Sequence, residues 1–364
     1  MNVFDIYGYQ LGIDGSTDAL DKLSNAYGSF SSTGTDVDIN LQISQLTQSL
    51  RHEHKLGGAK RFYGRSEDRF TLRDHASTIA VDEDWTEVAC SSKASTSTLT
   101  TLLEGQLRQQ LAPEGKAMIH GSGVRYEGET LLFPAWRHTG KTNTMLSFAV
   151  RGGDFLSDDR LFVDERGMAH SYPMPINLLQ YNLRAFPELL ARSNFERFKD
   201  RLSMALASQT EGMPEHSFVR GVLDYLNNHV IKDSYKYHPS DLFEDIVTIP
   251  QETPIDKLVL LETTESDIDH CRIEPIEAKT MARILGSITD FEWNTTLHDT
   301  YSAYDMLFPE RDGLTDQLMQ LRSREREVYE AVAETADVYR LQVPEEEEWS
   351  RETQQRVVET TIGV

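Results

Sequence analysis

Three consecutive residues, Gly140-Lys141-Thr142, have the types and the order in which a phosphate-binding loop ends. They lie in FPAWRHTGKTNTML, residues 133–146, between a short apolar run and a helix-compatible segment. The first backbone N–H groups of a helix attract anionic oxygens, and the lysine and threonine of such a loop contact the β- and γ-phosphates and Mg²⁺. The segment therefore predicts a nucleotide site in which Lys141 binds phosphate and Thr142 ligates Mg²⁺.

The loop that leads to these residues has an unusual interior. A phosphate-binding loop normally begins with glycine, whereas here Ala135 occupies that position and the bulky Trp136 follows it. Arg137, His138 and Thr139 complete the loop. We count these three among the nucleotide-binding residues. The side chains of Arg137 and His138 either contact phosphate and compensate for the lost glycine, or obstruct the site.

A pair of carboxylates follows where a partner strand should end. Phe155 and Leu156 form a short apolar run, and Asp158 and Asp159 come directly after it. In a strand–helix–strand unit with the usual right-handed crossover, the end of the second strand lies beside the loop. We expect one carboxylate, Asp158, to hold Mg²⁺ directly or through water, and the other to accept a proton from an attacking hydroxyl. The alternative role of the pair is a helix cap or a turn.

A histidine is placed near the same loop by a predicted hairpin. Strand-like runs flank Glu127-Gly128, and glycine permits the positive φ of a tight turn. If these two are the turn residues, paired residue numbers sum to 255, and His120 lies opposite Ala135. The imidazole then serves as a cation that stabilises the transferred group or as a neutral base. A core histidine that pins the hairpin is the alternative.

The composition limits the partners. The net charge is −23, with 59 acidic and 36 basic residues, and lysine is scarce among the basic ones. Such a surface repels nucleic acids and anionic membranes. Dense carboxylates indicate either high solubility or the cytoplasm of a halophile. The two cysteines, Cys90 and Cys271, are far apart, which favours a reducing compartment, and His270 beside Cys271 is a poor zinc site.

No apolar run reaches membrane-spanning length, and the first residues lack the features of a signal peptide. We therefore expect a cytoplasmic protein with no membrane or nucleic-acid partner; a homo-oligomer stays open.

The elements that must position these residues follow from periodicity and turn residues. Short strand-like runs precede residue 90, at 3–9, 37–43, 70–72, 78–81 and 87–89. Leucines at helical spacing predict a helix that ends at Pro113 and Gly115, and a helix at 142–151 should end at the glycine pair 152–153. After Pro175 the pattern predicts helices with a buried face of Leu183, Phe186, Leu190, Phe198, Leu202 and Leu206, with Pro187 as a break.

The last third of the chain alternates a strand with helices. KLVLLE at 257–262 predicts a buried strand, and helices are predicted near 276–285 and over 314–337. DVYRLQVP then predicts a strand, and the acidic run EEEEW after it indicates a solvated surface. We therefore predict an α/β protein with an N-terminal α/β lobe at 1–112 that is rich in strands, a phosphate-loop core at 113–262, and a mainly helical region at 263–364 that ends in a strand.

The order of these motifs resembles the HPr kinase/phosphorylase family, which shares a nucleotide-binding core with phosphoenolpyruvate carboxykinases. That family has an LHG segment, a hairpin, a loop ending in GTGKT or GAGKS, and a strand ending in SDD or ADD. The matching segments here are Ile119-His120-Gly121, Thr139-Gly140-Lys141-Thr142 and Ser157-Asp158-Asp159. The match covers about 117–175, with weaker likeness at the two ends of the chain.

The resemblance implies a mixed-sheet phosphate-loop core and a kinase that uses ATP and Mg²⁺. It also implies that Lys141 and Thr142 contact phosphate and Mg²⁺, that His120 lies near the transferred phosphoryl group, and that Asp158 and Asp159 act as metal ligand or base. The acceptor would be a hydroxyl of a protein serine or of a small molecule. HPr itself is not the expected acceptor, because the Glu-Leu-Arg-Gly segment of true HPr kinases has no counterpart.

Two other functions remain open from the residues. A non-catalytic nucleotide sensor or scaffold would suit the altered loop. Carboxykinase chemistry is less favoured, because the sequence offers no recognisable His/Lys cluster for a second metal and no arginine set for a dicarboxylate.

Overall fold

The computed structural model describes residues 1–32, 38–191, 234–242, 252–264, 271–345 and 349–364. They form a mixed α/β structure, as predicted, with several multi-stranded sheets and helices packed around them.

Eight strands in the first ninety residues form one mixed sheet, in the order β1-β2-β3-β8-β7-β6-β5-β4. Their bounds are β1 Asn2–Ile6, β2 Tyr9–Asp14, β3 Leu41–Gln45, β4 His54–Gly57, β5 Arg61–Ser66, β6 Arg69–Asp74, β7 Ser77–Asp82 and β8 Glu87–Cys90. Strand β3 pairs in parallel with both of its neighbours, whereas the remaining pairs are antiparallel. Helices α1 (Asp18–Ala26) and α2 (Thr96–Leu111) contribute to the core beside this sheet.

A six-stranded sheet carries the predicted phosphate loop, in the order β12-β10-β11-β18-β20-β19. Its strands are β10 Gly121–Tyr126, β11 Glu129–Pro134, β12 Asp154–Ser157, β18 Lys257–Thr264, β19 Arg272–Pro275 and β20 Asp337–Pro344. Strand β10 is antiparallel to both β11 and β12, so the latter two run in the same direction with β10 between them. The chain passes from β11 to β12 through helix α3 (Lys141–Ala149), and the ends of both strands therefore lie at one edge of the sheet.

Two smaller sheets complete the described strands. Four antiparallel strands follow the order β17-β14-β13-β9, and two more pair as β15-β16. Their bounds are β9 Lys116–Ile119, β13 Leu161–Asp164, β14 Met168–His170, β15 Ile176–Leu179, β16 Ser234–Tyr237 and β17 Glu252–Pro254.

The remaining helices lie mainly in the last quarter of the chain. They are α4 Gln180–Ala185, α5 Glu188–Ala191, α6 Pro239–Leu242, α7 Ala278–Thr289, α8 Thr295–Leu307, α9 Leu314–Thr335 and α10 Arg351–Ile362. A π-helical turn, Asp290–Asn294, connects α7 to α8.

The six-stranded sheet is covered on both faces at its central strand β18. Alternate residues of β18 belong to different cores: Leu258 and Leu260 pack with the N-terminal sheet and α7 to α9, whereas Val259 and Leu261 pack with α3 and α10. A strand that is covered on both sides reads as a continuous apolar run, which is why KLVLLE was recognisable in the sequence. The loop at the end of β11 thus follows a strand that pairs directly with this buried central strand.

Several sequence predictions are corrected by these elements. The run at 3–9 is not one strand, because Tyr7 and Gly8 have positive φ (55° and 90°) and turn the chain from β1 into β2. The C-terminal region does not end in a strand, because β20 is followed by helix α10, whose apolar residues pack against α3. The domain boundaries themselves stay a prediction.

Some predictions fall outside the described residues. These include the start of the run at 37–43, the helical face at Phe198, Leu202 and Leu206, His270, and most of the acidic run after Pro344. In the part of the chain that is described, no helix combines the length and the apolar character needed to cross a bilayer.

Candidate functional site

The hairpin of β10 and β11 has the predicted register. Tyr126 pairs with Glu129, and each further pair sums to 255 as far as Gly121 and Pro134. Glu127 and Gly128 both have positive φ (53° and 92°), as the two residues of a type I′ turn require. The backbone N–H of Ala135 then donates to the carbonyl of His120 over 3.2 Å. The prediction that His120 lies opposite Ala135 is therefore confirmed.

Helix α3 begins at Lys141, directly after the loop. Gly140 precedes it with φ +90°, and no side chain caps the helix start. The first backbone N–H groups of a helix have no partner within the helix, so they face the loop as donors. The Ser122 hydroxyl donates to the Lys141 carbonyl over 3.1 Å, which ties the helix start to β10. The sequence prediction of the helix start was correct.

Lys141 lies inside the loop rather than in solvent. The residue is 8% exposed, and its Nζ donates to the carbonyls of Trp136 (2.9 Å) and Ala135 (3.4 Å). Burial lowers the pKa of Lys141, while the carboxylates of Asp159 and Asp158 act in the opposite direction. The loop carbonyls thus hold a cation at the centre of the loop.

Thr142 and Asp158 are brought together across the strand–helix–strand unit. The Thr142 hydroxyl donates to the Asp158 carboxylate, with both oxygens at 3.1 Å. Asp158 follows β12 directly and is 6% exposed. Burial, and then the charge of Asp159, raise the pKa of Asp158 to about 7. The two side chains that the sequence predicts as Mg²⁺ ligands are therefore in contact, and the ligation itself stays a prediction.

Asp159 faces a different set of groups. Its Oδ2 accepts from Arg160 at 2.7 Å, and its Oδ1 lies 3.6 Å from Nδ1 of His120. The Asp159 side chain is 44% exposed and its φ is +75°, an uncommon conformation for a residue other than glycine. The partly buried position of this carboxyl acts to raise its pKa, but Arg160, His120 and Lys141 together lower it well below its usual range. The pKa values of the two adjacent carboxyls are thus shifted in opposite directions, upwards for Asp158 and downwards for Asp159.

Arg160 also forms an ion pair with a buried carboxylate on its other side. Its second terminal nitrogen donates to Glu104 of α2 over 2.5 Å, and Glu104 is 3% exposed. The hydroxyl of Tyr172 also lies 3.4 Å from this carboxylate. Because Arg160 bridges Glu104 and Asp159, the position of Asp159 is coupled to helix α2.

The His120 ring lies between two carboxylates without a hydrogen bond to either. The residue is 4% exposed, and neither ring nitrogen has a hydrogen-bond partner among the described residues. Nε2 lies 3.8 Å from Glu292, and the ring meets Trp293 edge-on with centroids 5.9 Å apart. Burial lowers the pKa of His120 to about 3, although Asp159 acts to raise it. Burial thus favours the neutral imidazole in the ligand-free protein, which counts against the cationic one of its two predicted uses.

The loop interior contacts the π-helical turn. The Trp136 ring stacks on Phe291 with centroids 4.0 Å apart, and Nε of Arg137 donates to both oxygens of Glu292 at 2.7 and 2.9 Å. His138 is exposed with φ +60°. The Thr139 hydroxyl donates to the carbonyl of Trp136 over 2.6 Å, so it stabilises the loop itself.

Phe291, Glu292 and Trp349 were not found by sequence reasoning. They lie more than 150 residues beyond the loop, in segments with no local motif of chemistry, and the acidic run before Trp349 indicated only a solvated surface. The indole of Trp349 covers the loop glycine so closely that a Cβ built on Gly140 would lie 2.7 Å from it. The one local signal that was overlooked is Arg160, which directly follows the aspartate pair.

Gly140→Ala should therefore destabilise the protein more than an equivalent change elsewhere. A left-handed conformation costs a residue with a Cβ about 1–2 kcal/mol, and the contact with Trp349 adds to it. Gly128 is the matched control, because its φ is +92° and nothing lies within 4 Å of a Cβ there. Urea unfolding of both variants checks this: equal losses of unfolding free energy would contradict the role of Trp349.

A second polar cluster in the described residues has a structural explanation. Ligand atoms of Asp164, His170 and Glu252 lie within 4.8 Å of one another. The guanidinium of Arg166 bonds both Asp164 (2.6 Å) and Glu252 (2.8 Å), so it already supplies the positive charge there.

The comparisons with known proteins add no relative. The chain matches no protein-family model, and no curated protein matches it in sequence. The likeness to HPr kinases accordingly depends on the residues named above and stays a prediction.

Proposed function

We propose that this chain is an ATP- and Mg²⁺-dependent kinase that transfers the terminal phosphoryl group to a hydroxyl of a protein serine or a small molecule. The observation that carries this proposal is the bond between Thr142 and Asp158. It joins the start of α3 to the end of β12, beside the buried ammonium of Lys141. A phosphate-binding helix start, a lysine and a hydroxyl–carboxylate pair are the parts that phosphoryl transfer requires.

The donor set suits Mg²⁺. This ion prefers oxygen ligands, usually one or two carboxylates with substrate phosphate and water. Asp158 is buried beside the charge of Asp159, and both raise its pKa and so favour neutralisation of the carboxylate by a proton or a cation. Thr142 and Asp158 would hold the ion, which when bound supplies charge neutralisation for the phosphate oxygens.

The other residues have separate roles in this proposal. Lys141 and the N–H groups at the start of α3 hold the phosphate chain. Asp159 stays ionised beside Arg160 and lies near His120, whose pKa the charge of a bound phosphoryl group would raise, so this pair can take the acceptor's proton. The acceptor oxygen then forms a bond to the terminal phosphorus. The bond from that phosphorus to the bridging oxygen breaks, and the nucleoside diphosphate leaves.

A nucleotide sensor without turnover is the second candidate. One observation favours it: Lys141 bonds to the loop's own carbonyls, Trp136 stacks on Phe291 and Trp349 covers Gly140, so the loop is filled by protein groups. The two functions differ in turnover. A wild-type protein that binds ATP but neither hydrolyses it nor labels any component of a cell extract would be a sensor.

Lys141→Ala tests the nucleotide site that both functions share. Loss of a charge-assisted contact should weaken ATP binding by on the order of 1.5–3 kcal/mol, or roughly 10- to 150-fold. Titration calorimetry with ATP and Mg²⁺, in buffers up to molar KCl, measures this. Lys22→Ala is the control, since Lys22 is exposed and pairs only with Asp18 on α1 among the described residues. Equal affinities of wild type and Lys141→Ala would refute the site.

A further inference from the structure

The π-helical turn delivers two consecutive side chains to the loop. Phe291 stacks on Trp136, and Glu292 accepts from Arg137, so two residues of the loop interior are held by two residues of the turn. Insertions of this kind within helices are frequent at functional sites. The contact also includes the guanidinium of Arg137, which lies 5.2 Å from the Phe291 ring centroid.

The opposite side of the turn is anchored in the core. Arg108 of α2 donates to Asn294 over 2.9 Å and lies over the Trp293 ring at 5.2 Å. The same guanidinium makes a two-point bond to Glu325 of α9, at 2.6 and 2.7 Å, and both side chains are almost fully buried. The turn that carries Glu292 is therefore anchored to the core through its last two residues, independently of its contacts with the loop.

The two side chains of the Arg137–Glu292 ion pair differ in their exposure to solvent, and the more exposed one is free to move. The Glu292 side chain is 5% exposed, whereas that of Arg137 is 52% exposed. Arg137 uses only its Nε on the carboxylate, and its two terminal nitrogens make no hydrogen bond to any described residue. A buried carboxylate thus holds a half-exposed cation whose two terminal nitrogens are not used by the described residues.

Glu292 is an anion placed among the groups that a phosphoryl ligand would need. It lies 3.8 Å from His120, and its charge acts on the Lys141 ammonium as do those of Asp158 and Asp159. A terminal phosphoryl dianion offers Arg137 more charge and one more oxygen than a carboxylate does. A ligand with that group can exchange for Glu292, whereas a shorter ligand that does not reach Arg137 cannot.

We propose that Glu292 is a specificity-determining residue: it is an internal counter-ion of Arg137 that only a nucleotide with a terminal γ-phosphoryl group displaces. The proposal rests on the proposed nucleotide-binding function. It assigns Arg137 to the γ-phosphate and gives the altered loop, with arginine in place of the usual small residues, a reason to distinguish triphosphate from diphosphate.

Glu292→Gln tests the exchange, since glutamine retains an acceptor for Arg137 but not the charge. With Mg²⁺ and the non-hydrolysable analogue AMP-PNP, the affinity should rise about tenfold, because an ionic hydrogen bond no longer has to be broken. ADP affinity should change by less than about twofold. Glu330→Gln is the matched loss of one charge, because Glu330 is an exposed partner of Arg326 on α9.

The same substitution in a variant that lacks Arg137 gives a second control. In Arg137→Gln the additional change Glu292→Gln should have no selective effect on AMP-PNP, since no cation is left to release. An equal gain for AMP-PNP and ADP would show general electrostatics and overturn the proposal. Weaker AMP-PNP binding in Glu292→Gln would also overturn it, because Glu292 would then help to place Arg137 for the ligand.

Hydrogen exchange of the amides of residues 136–140 in the ligand-free protein separates failure of this proposal from failure of the proposed function. Glu292→Gln should speed their exchange, and an unchanged rate rejects the holding contact whatever the nucleotides do. Faster exchange without binding of either nucleotide by any variant would instead reject the nucleotide function, and the specificity role with it. Binding of AMP-PNP by Glu292→Gln but not by wild type would support displacement of an internal anion.

Discussion

Replacing His120 with alanine should reduce phosphoryl transfer by about 10²–10⁴-fold, while ATP affinity stays within about threefold of wild type. The imidazole is neutral and buried, lies 3.6 Å from Asp159, and has no hydrogen-bond partner among the described residues. A histidine that pinned the hairpin would use its ring nitrogens, so the unpartnered ring favours a role that begins when substrate arrives. The negative charge of a bound phosphoryl group would also raise its pKa towards the range of an efficient base.

His170→Ala is the matched control for this prediction. His170 is buried to the same degree, but its Nε2 is 2.9 Å from Asp164, so its bond is structural. We expect this variant to melt early and to keep its turnover per folded molecule. Single-turnover rates at low temperature, with thermal unfolding of both variants, measure the difference. If His120→Ala melts early and retains its specific activity, the catalytic role is wrong.

The parts of the site that the sequence predicted are local in the chain. The turn at Glu127-Gly128 fixes the register of one hairpin, and the register fixes the place of His120. The start of α3 and the end of β12 follow from turn residues and a short apolar run. Each of these inferences joins residues fewer than forty positions apart, where turn chemistry and periodicity decide the geometry.

The rest of the site depends on contacts between distant segments. Glu292 and Trp349 reach the loop only because α7 to α10 pack on two faces of the central sheet, and no short pattern encodes that packing. The split of the run at 3–9 into β1 and β2 was missed for another reason. Tyr7 adopts a positive φ without a glycine signal of its own, and only Gly8 marked the turn.

The same limit applies to the aspartate pair. The sequence places both carboxyls at a strand end, but their different roles come from their neighbours: Thr142 bonds Asp158, whereas Arg160 bonds Asp159. The pKa values of the two move apart because burial and the charge of Asp159 raise that of Asp158, whereas the guanidinium of Arg160 lowers that of Asp159. Such divergence between adjacent titratable groups is characteristic of functional sites.

Asp158→Asn should stabilise the ligand-free protein at pH 8 by on the order of 2 kcal/mol; the gain should fall to less than about half of that at pH 5 and vanish only below the pKa of the unfolded chain. Burial and the charge of Asp159 raise the pKa of Asp158 from 3.8 to about 7. Between those values the folded protein keeps a proton that the unfolded chain has lost, so stability falls as the pH rises through this window. Above pH 7 the folded protein holds a buried, repelled carboxylate, which asparagine replaces with a neutral acceptor for Thr142.

Asp164→Asn provides the opposite case at similar burial. Burial acts to raise the pKa of Asp164, but bonds from Arg166 and His170 outweigh it and lower the pKa. That substitution should destabilise the protein to a similar extent at pH 5 and at pH 8, because the loss shrinks only when the pH falls through the lowered pKa of this group. Urea unfolding at pH 5 and pH 8 with a chelator present measures both variants. If Asp158→Asn lowers stability at pH 8, the carboxylate contributes to the fold and is not held ready for a cation. A stabilising change that also abolishes turnover would show that the protein keeps this carboxylate for function at the expense of stability.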